Sequence, residues 1–345
     1  MAAKRDGGMT AQAVNRGQPQ APVQAVVTRF APSPTGRLHL GHGYSALRAF
    51  DLAAARGGRF LLRVEDIDGT RSRTEHVDAI LADLAWLGLG WEGPVFQSAR
   101  LPLYAAALER LKAAGLVYPC FCTRAEVAAA SAFAPHGVEP VYPGTCRELG
   151  EADLARPHCW RLDVGRALTS LPDHPRVGGG PAAEVCEVEG YRIQPNASML
   201  GPRLRGGGKG GGAFPLLWWR DETAGWVQAD PARQGDVILA RKDAPASYHL
   251  AVTVDDAAQG VTDVVRGVDL FAATDVHRLL QALLGLPTPR YHHHALLTGP
   301  GGARLAKRHG APTLEAMRLA GDDGRAVALA LRHGRLPAGF AAASA

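Results

Sequence analysis

Residues 25–42 read AVVTRFAPSPTGRLHLGH, and this stretch indicates how the chain folds. Its first part, Ala25–Phe30, is short, apolar and rich in β-branched residues, which predicts a buried strand. The next part, Ala31–Leu40, is rich in proline and glycine and predicts a turn. From Gly41 to Arg56, small and apolar residues recur at helical spacing, and Gly57-Gly58 is typical of a helix end. We therefore expect a strand, a turn and a helix in that order.

The same pattern continues downstream of this helix. Arg59–Val64 predicts a second strand, and Thr74 is a candidate N-cap for a second helix. The apolar face of that helix would consist of Val77, Ile80, Leu81, Leu84 and Leu87. Strands that alternate with helices form parallel sheets. The predicted fold class is therefore α/β, with a Rossmann-type parallel sheet that forms a nucleotide-binding domain.

The middle of the chain has a different composition. From Cys120 to Gln234 it contains cysteines, many prolines and glycines, and short strand-like pieces such as Trp160–Val164. We interpret this range as an insertion that includes glycine-rich loops at 178–180 and 206–212. The second loop is not a phosphate-binding loop, because its lysine is followed by glycine where serine or threonine is required.

Alternating strands and helices return near Gly235. Val237–Leu239 and Leu250–Val254 predict strands, and Asp275–Leu284 predicts a helix. The predicted organisation is a disordered tail at 1–24, the first half of the nucleotide-binding domain at 25–119, the insertion at 120–234, the second half of the domain at 235–300, and a basic loop with a helical tail at 301–345.

The composition excludes several classes of protein. Lys and Arg number 38 against 33 Asp and Glu, which gives a net charge of +5 and permits a polyanionic partner without requiring one. No apolar run is long enough to span a bilayer, and the first two dozen residues lack the apolar stretch of a secretory signal. Five unevenly spaced cysteines do not suggest a disulfide framework. We expect a monomeric cytoplasmic protein without membrane association.

The turn between the first strand and the first helix is the candidate catalytic site. Such turns bind nucleotide phosphates, because the free N–H groups and the dipole of the helix attract anions. His39 and His42 can donate hydrogen bonds to phosphate oxygens, and Gly41 lets the nucleotide approach the backbone. A bare His-x-Gly-His is more typical of a surface turn, but the flanking prolines and the downstream helix favour a nucleotide site.

Several motifs together resemble those of class I glutamyl-tRNA synthetases. In chain order they are Arg29–Gly36 with His39–His42, Arg63–Asp68, Gln97-Ser98 with Arg100 and Tyr104, Tyr248–Ala251, and Val265–Leu270. The resemblance covers about residues 25–315 and is weakest in the insertion. It implies an enzyme that activates L-glutamate with ATP as glutamyl adenylate, with Mg²⁺ accompanying the nucleotide.

The resemblance also implies a mobile lysine loop as the second ATP element. The matching stretch is Arg304–Arg308, in which Lys307 keeps the lysine expected to stabilise the leaving pyrophosphate. Arg304 keeps only the charge of a lysine, and Ala306 lacks the hydroxyl of the family pattern. The expected catalytic residues, which are also ATP contacts, are Lys307, His39 and His42.

Glutamate has two carboxylates and one ammonium, so its pocket requires two cations and one anion. Arg29 and Arg266 are the candidates for the carboxylates, and Glu65 is the candidate for the ammonium. Tyr248 and Ser33 can add hydrogen bonds, and the family resemblance implies substrate contacts at the same five positions. The sequence leaves open which arginine binds the side-chain carboxylate.

Three cysteines make the insertion a candidate zinc-containing module. Cys120, Cys122 and Cys146 lie among prolines and glycines and would need a fourth ligand for structural zinc. His136 is the ordinary choice, whereas resemblance to a shorter branch of the family, the glutamyl-queuosine tRNA(Asp) synthetases, implies Tyr142. The alternative is three buried cysteines without a metal.

The region after the lysine loop distinguishes the branches of the family. The chain ends at Ala345, soon after Lys307, which leaves too little sequence for a further domain of roughly 50 residues or more that would bind an anticodon. Together with the cysteine pattern, this predicts transfer of glutamate to queuosine in the anticodon loop of tRNA(Asp). The alternatives are a shortened glutamyl-tRNA synthetase that charges a tRNA 3′ end, a binding pseudo-enzyme, and a pantothenate-type ligase.

Overall fold

The structure begins with the strand, turn and helix that residues 25–42 predict. The computed structural model describes residues 25–130, 141–150, 152–171, 186–188, 191–193, 217–299, 312–336 and 341–342. Within these ranges the α-helices are α1 (Leu40–Ala55), α2 (Thr74–Trp86), α3 (Leu101–Ala113), α4 (Arg124–Ala130), α5 (Val164–Ser170), α6 (Tyr248–Ala258), α7 (Ala273–Leu284), α8 (Leu314–Leu319) and α9 (Gly324–Arg332). The strands are β1 (Val27–Phe30), β2 (Arg59–Val64), β3 (Glu92–Phe96), β4 (Val117–Cys120), β5 (Cys159–Leu162), β6 (Cys186–Val188), β7 (Tyr191–Ile193), β8 (Trp218–Asp221), β9 (Gly225–Gln228), β10 (Ile238–Ala240), β11 (Asp263–Gly267), β12 (Arg290–His294), β13 (Leu297–Thr298) and β14 (Ala341–Ala342).

The central strands come from both ends of the chain. β1, β2 and β3 pair in parallel in that order, and β11, β12 and β8 do the same, with β9 antiparallel at the edge. A backbone hydrogen bond of 2.9 Å from Thr262 N to Val27 O joins the start of β11 to β1. This confirms the predicted α/β class with a parallel sheet. The strand order runs outward in both directions from β1 and β11, and ligands of α/β sheets bind at such a reversal.

Both faces of these strands are covered by apolar side chains. Leu62 of β2 packs with buried residues of α1, α2, α8 and α9, whereas Leu61 points to the other face, toward Trp219 and Tyr291. A further cluster joins α3, α5, α6 and α7. The turn before α1 is tied to the C-terminal helices, since Leu314 N donates to Leu38 O at 2.9 Å. A cleft remains open at the carboxyl ends of β1 and β11, where ligands can bind.

Two details of the sequence prediction are wrong. Leu250–Val254, predicted as a strand, lies within α6. Its residues are mostly buried because α6 packs against both α3 and α7, and a short buried helical segment has the same apolar pattern as a buried strand. Thr74 is the first residue of α2 rather than its N-cap, which is Arg73 and makes no capping hydrogen bond.

The range predicted as an insertion contributes strands to two sheets. β5 pairs antiparallel with β4 and β10, which lie at the ends of the two flanking segments. β8 and β9 also fall within 120–234, yet β8 pairs with β12 in the parallel sheet. The boundaries at 120 and 234 stay a prediction, and these pairings show that the range is structurally joined to both halves.

Several predictions fall on other parts of the chain. The tail at 1–24, the glycine-rich loops at 178–180 and 206–212, and the lysine loop lie outside the described residues, as does His136. None of the helices in the described ranges combines the length and apolar character that a membrane span requires.

Candidate active site and cysteine cluster

The turn before α1 places two imidazoles at the start of the helix. His39 is the N-cap of α1, and its Nδ1 accepts a hydrogen bond of 3.1 Å from Gly41 N. Nδ1 of His42 accepts in return from His39 N at 3.2 Å, and the two rings stack with centroids 3.8 Å apart. Because Nδ1 is the acceptor, each neutral ring carries its proton on Nε2. The helix N-terminus and two N–H donors therefore coincide, an arrangement suited to phosphate oxygens.

A cleft of about 500 Å³ at the carboxyl ends of β1 and β11 brings the predicted residues together. Its lining includes Arg29, Ser33, His39, Gly41, His42, Glu65, Tyr248 and Arg266. Lys307 is not in the described ranges, but the chain on both sides of it is. Leu297 lines the cleft, and Thr313 forms a β-bridge with His39. Described residues on both sides of Lys307 thus lie beside this cleft.

Arg29 and Arg63 share one buried carboxylate beneath the cleft. Arg29 donates to both oxygens of Asp256 at 3.0 and 3.3 Å, and Arg63 donates to Oδ1 at 2.7 Å. Burial opposes ionisation of Asp256, but the charges of Arg29 and Arg63 hold its pKa below the usual value. Glu65 lies 3.5 Å from Arg63 at the edge of this group, and burial raises the pKa of Glu65 despite the neighbouring arginines.

Asp255, next to Asp256 in α6, is the partner of the motif residues Gln97, Arg100 and Tyr104, to which sequence analysis gave no role. Asp255 is fully buried and accepts hydrogen bonds from Gln97 at 2.8 Å, Arg100 at 2.6 Å and Tyr104 at 2.7 Å. Gln97 and Arg100 lie in the turn before α3 and Tyr104 lies in α3, so these bonds tie α6, which also carries Asp256, to α3.

Arg266 differs from Arg29 because its contacts are uncharged. Its Nε donates to Nε2 of His293 at 3.1 Å, Nη1 donates to the Tyr248 hydroxyl at 3.2 Å, and Nη2 donates to Oγ1 of Thr274 at 2.5 Å. No carboxylate of the described residues forms an ion pair with this guanidinium, although the residue is only 5% exposed. A buried cation without a counter-ion favours an anionic ligand.

Sequence reasoning missed two features of this region. His293 lies in the run His292–His294, which is visible in the sequence but matches no motif considered there. Gly267 was quoted within a motif, and the structure gives the reason for a glycine. A Cβ there would lie 2.5 Å from Oδ1 of Asp269 and 2.7 Å from Leu296, and both of these side chains line the cleft.

The cysteine cluster has the dimensions of a metal site. The Sγ atoms of Cys120, Cys122 and Cys146 all lie within 4.8 Å of one another. The Tyr142 oxygen is 3.3 Å from Sγ of Cys120 and 3.6 Å from Sγ of Cys122, and the Sγ atoms of Cys122 and Cys146 are 3.5 Å apart. Tetrahedral zinc with Zn–S bonds of about 2.3 Å requires ligand atoms roughly 3.5–3.8 Å apart. These donors can therefore bind a metal ion of that size.

Comparison with known proteins identifies the family. The family described as tRNA synthetases class I (E and Q), catalytic domain, matches residues 25–157 and 214–339. This chain belongs to that family. It is an ATP-dependent ligase of this class. The unmatched residues between the two ranges, 158–213, fall within the predicted insertion at 120–234.

Two curated relatives place the chain in one branch of the family. The glutamyl-Q tRNA(Asp) synthetase of Rhodobacter capsulatus is 45% identical over 304 residues, which cover 86% of this chain and 96% of that protein. The protein of the same name from Symbiobacterium thermophilum is 41% identical over 85% of this chain and 81% of its own length. The chain is therefore a member of the glutamyl-Q branch.

A solved structure extends the comparison to the fold. The glutamate-tRNA synthetase from Elizabethkingia anophelis superposes with a TM-score of 0.60 at 23% identity. The match covers 83% of this chain and 53% of that one, so this chain spans about half the length of the solved protein. At this identity the match shows a shared fold.

Proposed function

We propose that this chain activates L-glutamate with ATP as glutamyl adenylate and transfers the glutamyl group to queuosine in the anticodon loop of tRNA(Asp). The observation that carries the proposal is the set of relatives that bear the glutamyl-Q tRNA(Asp) synthetase name and match most of both chains. Charging of a tRNA 3′ end is the alternative, and it has weaker support from these relatives.

The charges of the cleft fit glutamate. The charge of Arg266 has no carboxylate partner among the described residues, so Arg266 binds the side-chain carboxylate of the substrate, with the Tyr248 hydroxyl beside it. Glu65 binds the ammonium, whose charge favours the ionised form of that carboxyl. Arg29 is the second cation and lies on β1, directly before the turn that carries Ser33.

The first step forms the adenylate. An α-carboxylate oxygen of glutamate attacks the α-phosphorus of ATP, and the bond from that phosphorus to the oxygen of pyrophosphate breaks. His39 and His42 donate their Nε2 protons as hydrogen bonds to phosphate oxygens, and the N-terminus of α1 adds its dipole. Lys307 stabilises the leaving pyrophosphate, and Mg²⁺ bound with ATP would neutralise part of its charge.

The second step transfers the glutamyl group. A hydroxyl of the queuosine cyclopentenediol attacks the acyl carbon, and the bond from carbonyl carbon to phosphate oxygen breaks. AMP leaves with the electron pair, the hydroxyl proton passes to solvent, and an ester remains on the base. The positive net charge of the chain supports salt-dependent contacts with the RNA phosphates.

The cysteine cluster holds a structural zinc ion in this proposal. Cys120, Cys122, Cys146 and Tyr142 supply four protein ligands, which leaves no open position for water and therefore no catalytic role. Cys146 N donates to the Tyr142 oxygen at 2.9 Å and holds that oxygen toward the sulfur atoms. The distances between these donors support Tyr142 as the fourth ligand.

Two assays test the function in sequence. Glutamate-dependent exchange of labelled pyrophosphate into ATP should proceed without tRNA, and aspartate should be a poor substrate because it is one methylene shorter. Labelled glutamate should then transfer to normal tRNA(Asp) but not to tRNA(Asp) from cells that cannot make queuosine. Equal labelling of both tRNAs, or loss of label with the 3′-terminal adenosine, would contradict the proposed acceptor and support charging of the 3′ end.

A further inference from the structure

A buried row of three side chains runs behind the cleft, across three adjacent parallel strands. Asp221 lies on β8, His293 on β12 and Arg266 on β11, and the strand register places Arg266 directly opposite His293. Nδ1 of His293 lies 2.8 Å from Oδ2 of Asp221, and Nε2 of His293 accepts from Arg266 Nε at 3.1 Å. The side chains of Asp221 and His293 are both completely buried. Neither lines the cleft itself.

The hydrogen bonds around Asp221 fix which nitrogen of His293 is protonated. Oδ1 of Asp221 accepts from Thr223 N and Ala224 N at 2.9 Å each, and Oδ2 also accepts from His293 N at 3.2 Å. Burial opposes ionisation of Asp221, but the hydrogen bonds from His293 and from the backbone of Thr223 and Ala224 keep the pKa of Asp221 below its usual value. An ionised Asp221 can only accept, so Nδ1 of His293 carries the proton. Nε2 then presents a lone pair to Arg266.

His293 therefore orients Arg266 without neutralising it. Burial, with the charge of Arg266 nearby, lowers the pKa of His293 to about 4 in spite of Asp221, so the ring is uncharged at neutral pH. Arg29 shows the other arrangement, because Asp256 contacts it directly and offsets its charge. A carboxylate placed directly against Arg266 would compete with the substrate carboxylate. The neutral imidazole avoids that competition.

We propose that Asp221 and His293 are positioning residues for substrate recognition, which hold Arg266 by its Nε and leave its charge unneutralised for the side-chain carboxylate of glutamate. The inference rests on the proposed function. Thr274 and Tyr248 complete the orientation of the guanidinium through Nη2 and Nη1. The arrangement selects a substrate with a negative side chain over its uncharged amide.

Two substitutions of the same residue test the role of Nε2. In His293→Asn the amide nitrogen can replace Nδ1 and keep the contact with Asp221, but no acceptor reaches Arg266. In His293→Gln the amide oxygen reaches the position of Nε2 and restores that acceptor. A hydrogen bond to a charged group typically corresponds to at least about tenfold in affinity. We expect His293→Asn to raise KM for glutamate about tenfold or more in tRNA-independent pyrophosphate exchange, and His293→Gln to recover most of that loss.

The comparison with glutamine as substrate separates orientation from stability. In His293→Asn the preference for glutamate over glutamine in kcat/KM should fall about tenfold, whereas KM for ATP should stay near the wild-type value. Partial unfolding would lower the apparent kcat for both amino acids and leave this preference unchanged. The preference therefore remains informative even if the variant folds poorly.

Tyr291→Phe is the matched control. It removes a hydroxyl that accepts from Gln281 at 3.1 Å, in the same buried cluster and stacked on His293, but it leaves the donors of Arg266 paired. We expect lower stability with an unchanged preference for glutamate. An equal loss of preference in Tyr291→Phe, or an unchanged KM and preference in His293→Asn, would overturn the inference. Absence of glutamate-dependent exchange in the wild type would instead overturn the proposed function.

Discussion

Replacing Asp256 with asparagine would remove a carboxylate that two buried guanidiniums share. Asp256 is 7% exposed, Arg29 is 5% exposed and Arg63 is fully buried. Asparagine has nearly the same size and shape, so the substitution changes charge and hydrogen bonding while packing stays almost constant. Its amide oxygen, in the place of Oδ1, can still accept from Arg29 Nε and Arg63 Nη1, but it carries no charge, and its NH₂ group would face the Nη2 donor of Arg29.

The expected cost follows from the partners that remain. Removing one member of a buried ion pair costs about 3–5 kcal/mol. Arg63 keeps Gln259 at 2.9 Å, Glu65 at 3.5 Å and Asp255 at 3.7 Å, which places the cost near the lower end of that range. For a chain of this size, about 3 kcal/mol corresponds to a fall in melting temperature of roughly 5 °C. KM for glutamate should also rise, because Arg29 loses one of the two hydrogen bonds that orient it and the charge that it pairs with.

Thermal unfolding across pH tests this reasoning. The pKa of Asp256 is depressed in the folded state, so its contribution is complete above the unfolded pKa of about 4 and is lost as the pH falls through the folded pKa. The difference in melting temperature between wild type and Asp256→Asn should therefore be full at neutral pH and shrink below about pH 4. Asp51→Asn is the control, since Asp51 pairs with Arg332 at the surface and should shift the melting temperature by less than about 2 °C. Equal melting temperatures at pH 7, or a difference that grows on acidification, would refute the argument.

Three further outcomes follow from the site. Glu65→Gln should raise KM for glutamate in pyrophosphate exchange. Burial raises the pKa of Glu65, so kcat/KM of the wild type should increase with pH as Glu65 ionises, and the variant should lack that increase. Lys307→Ala should lower kcat about 100-fold with little change in KM for glutamate, and weaker binding at an unchanged kcat would count against its role at pyrophosphate. Tyr142→Phe should reduce the zinc retained after dialysis against a chelator, as measured by elemental analysis, whereas His136→Ala should not; the opposite pattern would make His136 the fourth ligand.

The strand, turn and helix at 27–55 could be predicted because their signals are local. A β-branched strand, a proline-rich turn and a helix with two histidines at its start occupy fewer than 35 consecutive residues. The second strand was predicted with the bounds that the structure gives, Arg59–Val64. The pocket arginines and Glu65 were found only because the family resemblance marked their motifs.

The supporting residues could not be predicted, because their partners are distant in sequence. Arg29 and Asp256 are separated by 227 positions, and Asp221 and His293 by 72. Asp256 belongs to α6, which contains the run Leu250–Val254 that sequence patterns assign to a strand. Nothing in a local pattern distinguishes a carboxylate that orients a buried arginine from one on the surface, so these roles appear only once strand pairing places them together.

The two pocket arginines show how the fold controls the net charge that glutamate meets. Arg29 and Arg63 are offset by Asp256 and Glu65, so this half of the pocket is close to neutral when Glu65 is ionised. Arg266 adds a positive charge whose polar contacts are the neutral imidazoles of His293 and His277 and two hydroxyls. Zwitterionic glutamate carries one net negative charge, which matches that excess, whereas glutamine carries none. The hydroxyls could serve either substrate. In the proposed pocket we therefore expect discrimination between the acid and its amide to come mainly from the unneutralised charge of Arg266, which its burial makes effective.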